Sequence, residues 1–209
     1  MIETVNLSKS YGNHVVINSL NLKIKEKEMV AIVGPSGCGK STLLNIIGQI
    51  DDQYDGTLLI DEKIMNKLNQ SQKEKFIRYH INYLFQNFAL IETETVKENL
   101  LIGLEYSKLK KQEKNERIAE VLKKVKLEKT LNKKVYELSG GEQQRIALAR
   151  IMLKPGNIVL ADEPTGNLDK DSSLLVMKVL KELQKDGKTI IIVTHSEEIA
   201  SQCDRIVEL

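Results

Sequence analysis

Met29-Val30-Ala31-Ile32-Val33-Gly34-Pro35-Ser36-Gly37-Cys38-Gly39-Lys40-Ser41-Thr42 decides the fold class of this chain. Met29 to Val33 is a short apolar run that ends at a glycine, the pattern of a strand buried on both faces. Residues 34–41 satisfy G-x-x-x-x-G-K-[ST] in full, and Ser41 to Ile50 then reads as a helix. Strand, glycine loop and helix in that order are the context that a phosphate-cradling loop requires. Gly34, Gly37 and Gly39 let the backbone curl until its N–H groups converge on phosphate oxygens. Pro35, Ser36 and Cys38 fill the loop between them, and Thr42 sits where it enters the helix. Lys40 supplies a point charge for the β- and γ-phosphates, and Ser41 a hydroxyl for Mg²⁺. A glycine-rich turn with a chance Lys-Ser would not come with both flanking elements.

A second anion site is written downstream, in Leu138-Ser139-Gly140-Gly141-Glu142-Gln143-Gln144-Arg145. A serine and a glycine pair precede the amphipathic segment Gln143 to Leu153, which exposes bare backbone N–H groups at a helix N-terminus. Ser139 and Glu142 also satisfy a Ser-x-x-Glu capping box, so the stretch is a helix start whatever else it does. A third element, Ile158-Val159-Leu160-Ala161-Asp162-Glu163, reads as a buried parallel strand with two carboxylates at its C-terminal end. Open α/β sheets bind ligands at that edge. Successive strand residues point to opposite faces, so the pair is expected to divide its labour. Asp162 would hold a hydrated metal ion and Glu163 would act as general base toward water.

Together these stretches resemble the ATP-binding cassette (ABC) ATPases, over essentially the whole chain. Leu138 to Arg145 resembles the family signature and Gln86, after the strand-like Ile81 to Phe85, the Q-loop glutamine. Asp169, in Pro164-Thr165-Gly166-Asn167-Leu168-Asp169, resembles the D-loop aspartate. His195, after the strand-like Thr189 to Thr194, resembles the switch histidine, and Tyr11 the aromatic that stacks on adenine. Tyr11, Lys40, Gln86, Ser139, Asp162, Glu163, Asp169 and His195 occur in the family order. The resemblance implies an α/β P-loop NTPase fold with a RecA-like parallel-sheet core, an N-terminal antiparallel β subdomain and an inserted α-helical subdomain. It implies ATP and Mg²⁺ as ligands, with Gln86 linking Mg²⁺ to a membrane partner. It also implies a head-to-tail dimer in which Ser139, Gly140, Gly141 and Glu142 meet ATP held by the partner's phosphate loop.

The rest of the chain agrees with one domain over residues 1–209. Residues 1 to about 28 alternate as antiparallel strands do, with Thr57 to Ile60 joining them. Residues about 87–150 read as helical, broken near Lys126 to Val135, and Ser71-Gln72-Lys73-Glu74 reads as the capping box of a short helix before Gln86. The formal net charge of +2 makes no strong demand for nucleic acid. No apolar run approaches the roughly 20 residues that cross a bilayer. Met1-Ile2-Glu3-Thr4 does not open a signal peptide. Two cysteines, Cys38 and Cys203, make no disulfide framework and suit a reducing compartment. Cys203 is expected near the end of the last helix. Residues 105–134 hold eleven Lys or Arg against five Glu, which reads as a solvated helix face. The expected location is cytoplasmic, held to the inner face of the membrane through a permease subunit.

Ala161 to Asp169, with Gly166-Asn167 before Leu168-Asp169, resembles the subgroup serving lipoprotein release, macrolide and peptide efflux, antimicrobial-peptide resistance and cell-division signalling. An extracytoplasmic adaptor is a further partner in such systems. Val135-Tyr136-Glu137 departs from that pattern where many relatives carry a proline, which touches the contact with the membrane partner and not the ATP chemistry. Export, transmembrane signalling without transport, and a soluble role in DNA repair or translation are the three functional classes. The last needs a long coiled-coil insertion before Ser139 or a second cassette, and this sequence has neither.

Overall fold

A computed structural model describes residues 1–166 and 168–209, leaving out Asn167 of the Ala161 to Asp169 stretch. The chain opens with β1 (Ile2–Tyr11) and β2 (His14–Ile24), then β3 (Met29–Val33), α1 (Lys40–Ile47), β4 (Asp55–Ile60) and β5 (Lys63–Ile64). α2 (Gln70–His80) and β6 (Ile81–Leu84) follow, then α3 (Val96–Gly103), α4 (Lys111–Lys124) and α5 (Gly140–Leu153). β7 (Ile158–Asp162), α6 (Lys170–Lys185), β8 (Thr189–Val193), α7 (Glu197–Ala200) and β9 (Arg205–Glu208) complete it.

The strands form two sheets. One is antiparallel, in the order β2-β1-β4-β5, with Ile2 opposite Ile24 and Tyr11 opposite His14 across a tight turn at Gly12-Asn13. The other is parallel, in the order β6-β7-β8-β3-β9. Its strands explain their own composition. Ile158 and Leu160 of β7, and Ile191 and Val193 of β8, pack on one face with α1 and the antiparallel sheet. Val159 and Ala161, and Ile190 and Ile192, pack on the opposite face with α5 and α6. A strand covered on both sides has no polar face to write, hence the continuous apolar runs. Truncating one such side chain, Leu160→Ala for instance, costs about 2–5 kcal/mol.

α3, α4 and one face of α5 build a third apolar cluster around Leu100, Leu122 and Ile146. The break between α4 and α5 falls where expected, starting at Lys126 in a left-handed conformation (φ 58°) and containing two short 3₁₀ turns. The basic residues of α4 lie outward, with Arg117 and Glu120 paired in solvent at 3.2 Å. None of the helices among the described residues is long and apolar enough to cross a membrane.

Three local expectations shift. α2 is capped by Asn69, not Ser71: Asn69 accepts from Gln72 N while the Gln72 side chain accepts from Asn69 N. The overlapping Asn-x-x-Gln pattern wins because asparagine caps as well as serine and the earlier start adds half a turn. α1 ends at Ile47 instead of Ile50, because Gln49 turns left-handed (φ 58°) and Ile50 leaves the axis. Cys203 lies beyond α7, in the turn before β9, its backbone N–H donating to Ala200 O.

Candidate functional site

β3 delivers the chain to the glycine loop at the C-terminal edge of the parallel sheet. Gly37 (φ 80°) and Gly39 (φ 99°) take conformations that side chains avoid, which is why this loop is written with glycine. Lys40 starts α1, and its ammonium group is curled into the loop, donating to Gly34 O at 2.9 Å and Pro35 O at 2.7 Å. Its side chain is almost wholly buried. The Cys38 thiol lies half-buried beneath it, 3.8 Å from Nζ.

This loop forms one wall of a cleft of about 800 Å³. Ser36, Gly37, Gly39, Lys40, Ser41 and Thr42 line it on one side. Gln86, Asp162, Glu163 and His195 face them from the ends of β6, β7 and β8. Sequence positions more than 150 residues apart therefore meet at one sheet edge, because parallel strands all deliver their C-terminal ends to the same side.

Ser41 Oγ donates to Asp162 Oδ1 at 3.1 Å, which puts two hard oxygen donors side by side. Burial pushes the Asp162 carboxyl up, against the Ser41 hydrogen bond and the Lys40 charge. No cluster of three or more His, Cys, Asp or Glu suited to a metal ion exists among the described residues. One carboxylate and one hydroxyl oxygen fit an ion that takes few protein ligands and keeps water or phosphate oxygens, as Mg²⁺ does.

Glu163 is turned into the cleft by a different device from the one expected. The strand ends at Asp162, and Glu163 adopts a left-handed backbone (φ 46°) with its N–H donating to Val193 O. A strained turn, not the pleat, separates the two carboxylates. Burial is the main force raising the Glu163 carboxyl, the His195 imidazole opposes it and the Asp162 charge adds to it. His195 Nε2 lies 3.6 Å from Glu163 Oε1, and Thr194 Oγ1 donates to Oε2 at 3.4 Å. Glu163 Oε1 is itself buried without a hydrogen-bond partner. Thr194 was not foreseen as a site residue, since a threonine ending a strand carries no signal of its own.

The helix start at Ser139 carries the capping box that the sequence indicated. Ser139 caps α5, its side chain accepting from Glu142 N while Glu142 Oε2 accepts from Ser139 N at 2.8 Å. That bond, with the Ser139 hydroxyl, holds the Glu142 carboxyl below its usual range despite partial burial. Ser139 and Gly140 are exposed, and a Cβ on Gly140 would meet nothing. Gly141 is tighter: a Cβ there would lie 3.1 Å from Ser172 Oγ. Ser172 in turn donates to Asp169 Oδ2 at 2.7 Å, and Asp169 caps α6. None of Ser139, Gly140 and Gly141 lines the cleft at Lys40.

Tyr11 also stands outside that cleft lining. Its ring is half-exposed on the antiparallel sheet, with the Lys9 ammonium 4.7 Å from its centre and its hydroxyl donating to Asp51 at 2.8 Å. The loop after Gln86 is less apolar in its exposure than in its sequence: Phe88 and Leu90 pack inward, leaving Ile91 exposed. Exposed apolar surface collects instead in a groove of about 560 Å³ lined by Ile50, Arg78, Phe85, Ile102, Tyr106 and others. Arg78 stacks on Tyr106 there at 3.9 Å.

A parallel sheet, a glycine loop capping α1 and a carboxylate pair on the neighbouring strand edge define a P-loop nucleotide-binding protein. Residues 17–166 match the family described as ABC transporter, and the chain belongs to that family as its ATP-binding and ATP-hydrolysing cassette. It is 39% identical over 209 residues to the macrolide export ATP-binding/permease protein MacB of Campylobacter jejuni, covering all of this chain and 33% of that protein. It is 39% identical over 213 residues to the uncharacterized ABC transporter ATP-binding protein MJ1508 of Methanocaldococcus jannaschii, covering 100% and 95% of the two chains. Its fold superposes on the dimeric structure of MJ0796, a bacterial ABC transporter cassette, with a TM-score of 0.93, 40% identity and coverage of 100% and 94%. The same cassette in a post-hydrolysis state bound to ADP and Pi gives a TM-score of 0.91. The chain spans about a third of the length of the MacB relatives, 33% of the first.

Proposed function

We propose that this chain drives an export or efflux system as a head-to-tail dimer, binding and hydrolysing Mg-ATP between the Lys40 loop of one copy and the Ser139 helix of the other. One observation carries the reading. The two segments we read as anion sites stand apart, and the Ser139 helix start is no part of the Lys40 cleft. A second copy turned about a two-fold axis makes one site of the two, twice over. The dimeric state of the MJ0796 cassette supports this arrangement.

Each residue then has a task. Backbone N–H groups of residues 36–41 and the Lys40 ammonium hold the β- and γ-phosphates. Ser41, Asp162 and Gln86 would hold Mg²⁺, which when bound neutralises charge building on the phosphates. Glu163 takes a proton from the attacking water. Burial that lifts its carboxyl brings the base closer to working pH. Its Oε1, buried and without a hydrogen-bond partner, has bonding capacity left for that water, and His195 beside it helps hold the water in line. Tyr11 stacks on the adenine, and Asp169 reaches toward the partner. We read residues 1–209 as one cassette, with the helical subdomain at about 87–150. The partner is an integral membrane permease, and the exposed apolar groove beside α3 suits it. The subunit would then sit on the cytoplasmic face of the membrane, with an extracytoplasmic adaptor on the far side. The macrolide export in the name of the MacB relatives favours efflux over signalling without transport.

Mixing two inactive variants tests the dimer. Lys40→Ala removes a phosphate ligand from the chain's own cleft. Ser139→Arg leaves that cleft intact and blocks the partner's nucleotide. Each homodimer then lacks both sites, but a mixed dimer regains one complete site. Recovered hydrolysis on mixing is the expected result. A mixture as inactive as its parents would mean that both groups serve the same chain's nucleotide.

A further inference from the structure

Several side chains of α5 reach away from the helix to hold other parts of the site. Gln144, buried, donates to Pro164 O at 2.9 Å, one residue past Glu163. Arg145 donates to Ser172 Oγ at 3.0 Å. Arg150 reaches furthest in sequence: Nη1 donates to Ala89 O at 2.7 Å and Nη2 to Phe88 O at 3.1 Å.

What Arg150 grips is unusual. Phe88 (φ 64°) and Ala89 (φ 47°) are consecutive non-glycine residues in the left-handed region. Side chains make that conformation costly, and it persists where the surroundings over-determine it. The local backbone bonds are few, Phe88 N to Phe85 O at 3.0 Å and Ala89 N to Asn87 O at 2.7 Å. The far end of the loop is closed by Asn99, which bonds both Ile91 N and Ile91 O.

Arg150 is also an expensive residue to keep here. No ion pair among the described residues engages it, and Lys154, one turn along, adds a like charge. Its guanidinium bonds to backbone carbonyls hold a stretch of main chain and do not neutralise its charge. Its geometry suits another task. It is a planar fork whose two donors meet two successive carbonyls. Gln86 stands two residues before Phe88, and Gln86, Phe88, Gln144 and Glu163 border one small void.

We propose that Arg150 is a positioning residue that holds residues 87–90 in their left-handed arc, sets where Gln86 enters the cleft, and fastens that loop to the helix carrying Ser139. A shift of α5 imposed at Ser139 by the partner's nucleotide is thereby delivered to Gln86 in the chain's own cleft. The inference rests on the proposed reading of Gln86 as a nucleotide-site residue. It adds the link between the site formed in trans and the site formed in cis.

The test compares the full chain with Arg150→Met, Arg150→Lys and Arg150→Met combined with Ala89→Gly. Two quantities are read: amide hydrogen exchange of residues 85–91 without nucleotide, and the split of ATP hydrolysis into kcat and KM. Arg150→Met is expected to speed exchange in residues 85–91 by about tenfold or more, the scale of a lost charge-assisted hydrogen bond. Exchange in the antiparallel sheet and α4 stays unchanged, kcat falls, and ATP affinity holds. Arg150→Lys keeps one donor and lands between. Glycine at position 89 adopts the arc without a steric cost, so the double variant recovers part of the lost kcat. Unchanged exchange at residues 85–91, or loosening spread evenly over the chain, overturns the proposal. If Arg150→Met fails to fold, Arg150→Lys carries the same comparison. Gln86→Ala separates the two claims: normal hydrolysis in that variant removes Gln86 from the nucleotide site, while the exchange data still decide what Arg150 does.

Discussion

Replacing Glu163 by glutamine should make the protein a poorer enzyme and a sturdier fold. The side chain keeps its size and its contact with Thr194, but the amide does not accept a proton. Loss of a general base costs about 10²–10⁴ in rate, or roughly 3–5 kcal/mol of barrier. The structural side works in the opposite direction. Glu163 Oε1 is buried without a partner, and the Asp162 charge lies close by. Because the folded carboxyl is raised above its unfolded value, its contribution favours the fold only at low pH. That contribution is present below the unfolded pKa and is lost as pH rises through the folded one. At pH 7 the wild type carries the full cost and Glu163→Gln carries none. Removing one poorly solvated buried charge is worth about 1 kcal/mol. For a chain of 209 residues that raises Tm by about 2–4 °C. Calorimetry at pH 7 and at pH 4, without nucleotide, should show the gap narrowing in acid. Turnover assays should show hydrolysis stalled while ATP still binds. Near-normal turnover would remove Glu163 from the base role. A lower Tm at pH 7 would refute the electrostatic account of its environment.

Two other outcomes follow from distances in the same site. Gly141→Ala places a methyl group 3.1 Å from Ser172 Oγ and so disturbs the Ser172–Asp169 pair; hydrolysis should fall while ATP affinity of the single chain is kept, and equal loss of both would mean general damage. A brief maleimide pulse should label Cys38 before Cys203, because burial pushes the Cys203 thiol up to about 11. At neutral pH that leaves roughly one thiolate in ten thousand there. Mg-ATP should slow labelling of Cys38 by covering its loop, and equal rates with and without it would separate the thiol from the nucleotide.

The parts of the site that could be read from sequence are those whose chemistry is local. Residues 34–42 carry strand, turn and helix signals in one contiguous stretch. Ser139 and Glu142 announce their own reciprocal bonds from three residues apart. The place of Asp162 and Glu163 at a strand end was legible, but not the left-handed turn that parts them, since it depends on Val193 accepting a hydrogen bond from another strand. Gln144, Arg150 and Thr194 were missed for a similar reason. Their partners lie 20, 61 and 31 residues away, and a polar residue in an amphipathic helix looks solvated until its neighbour is known. The cap of α2 was misplaced by two residues because two capping patterns overlap, and local sequence does not rank them.

Tyr11 rests on a sheet separate from the one that shapes the phosphate cleft, with Lys9 against its ring and Asp51 at its hydroxyl. On the proposed reading, phosphate charge is gripped by backbone and Lys40, while the base meets one aromatic surface. Stacking accepts any flat ring, and backbone amides do not sense what lies at the far end of a nucleotide. A cassette built this way is tuned to count phosphates and takes little notice of the letter attached to them. Its fuel is then chosen by supply, in favour of whichever purine triphosphate the cell keeps most abundant.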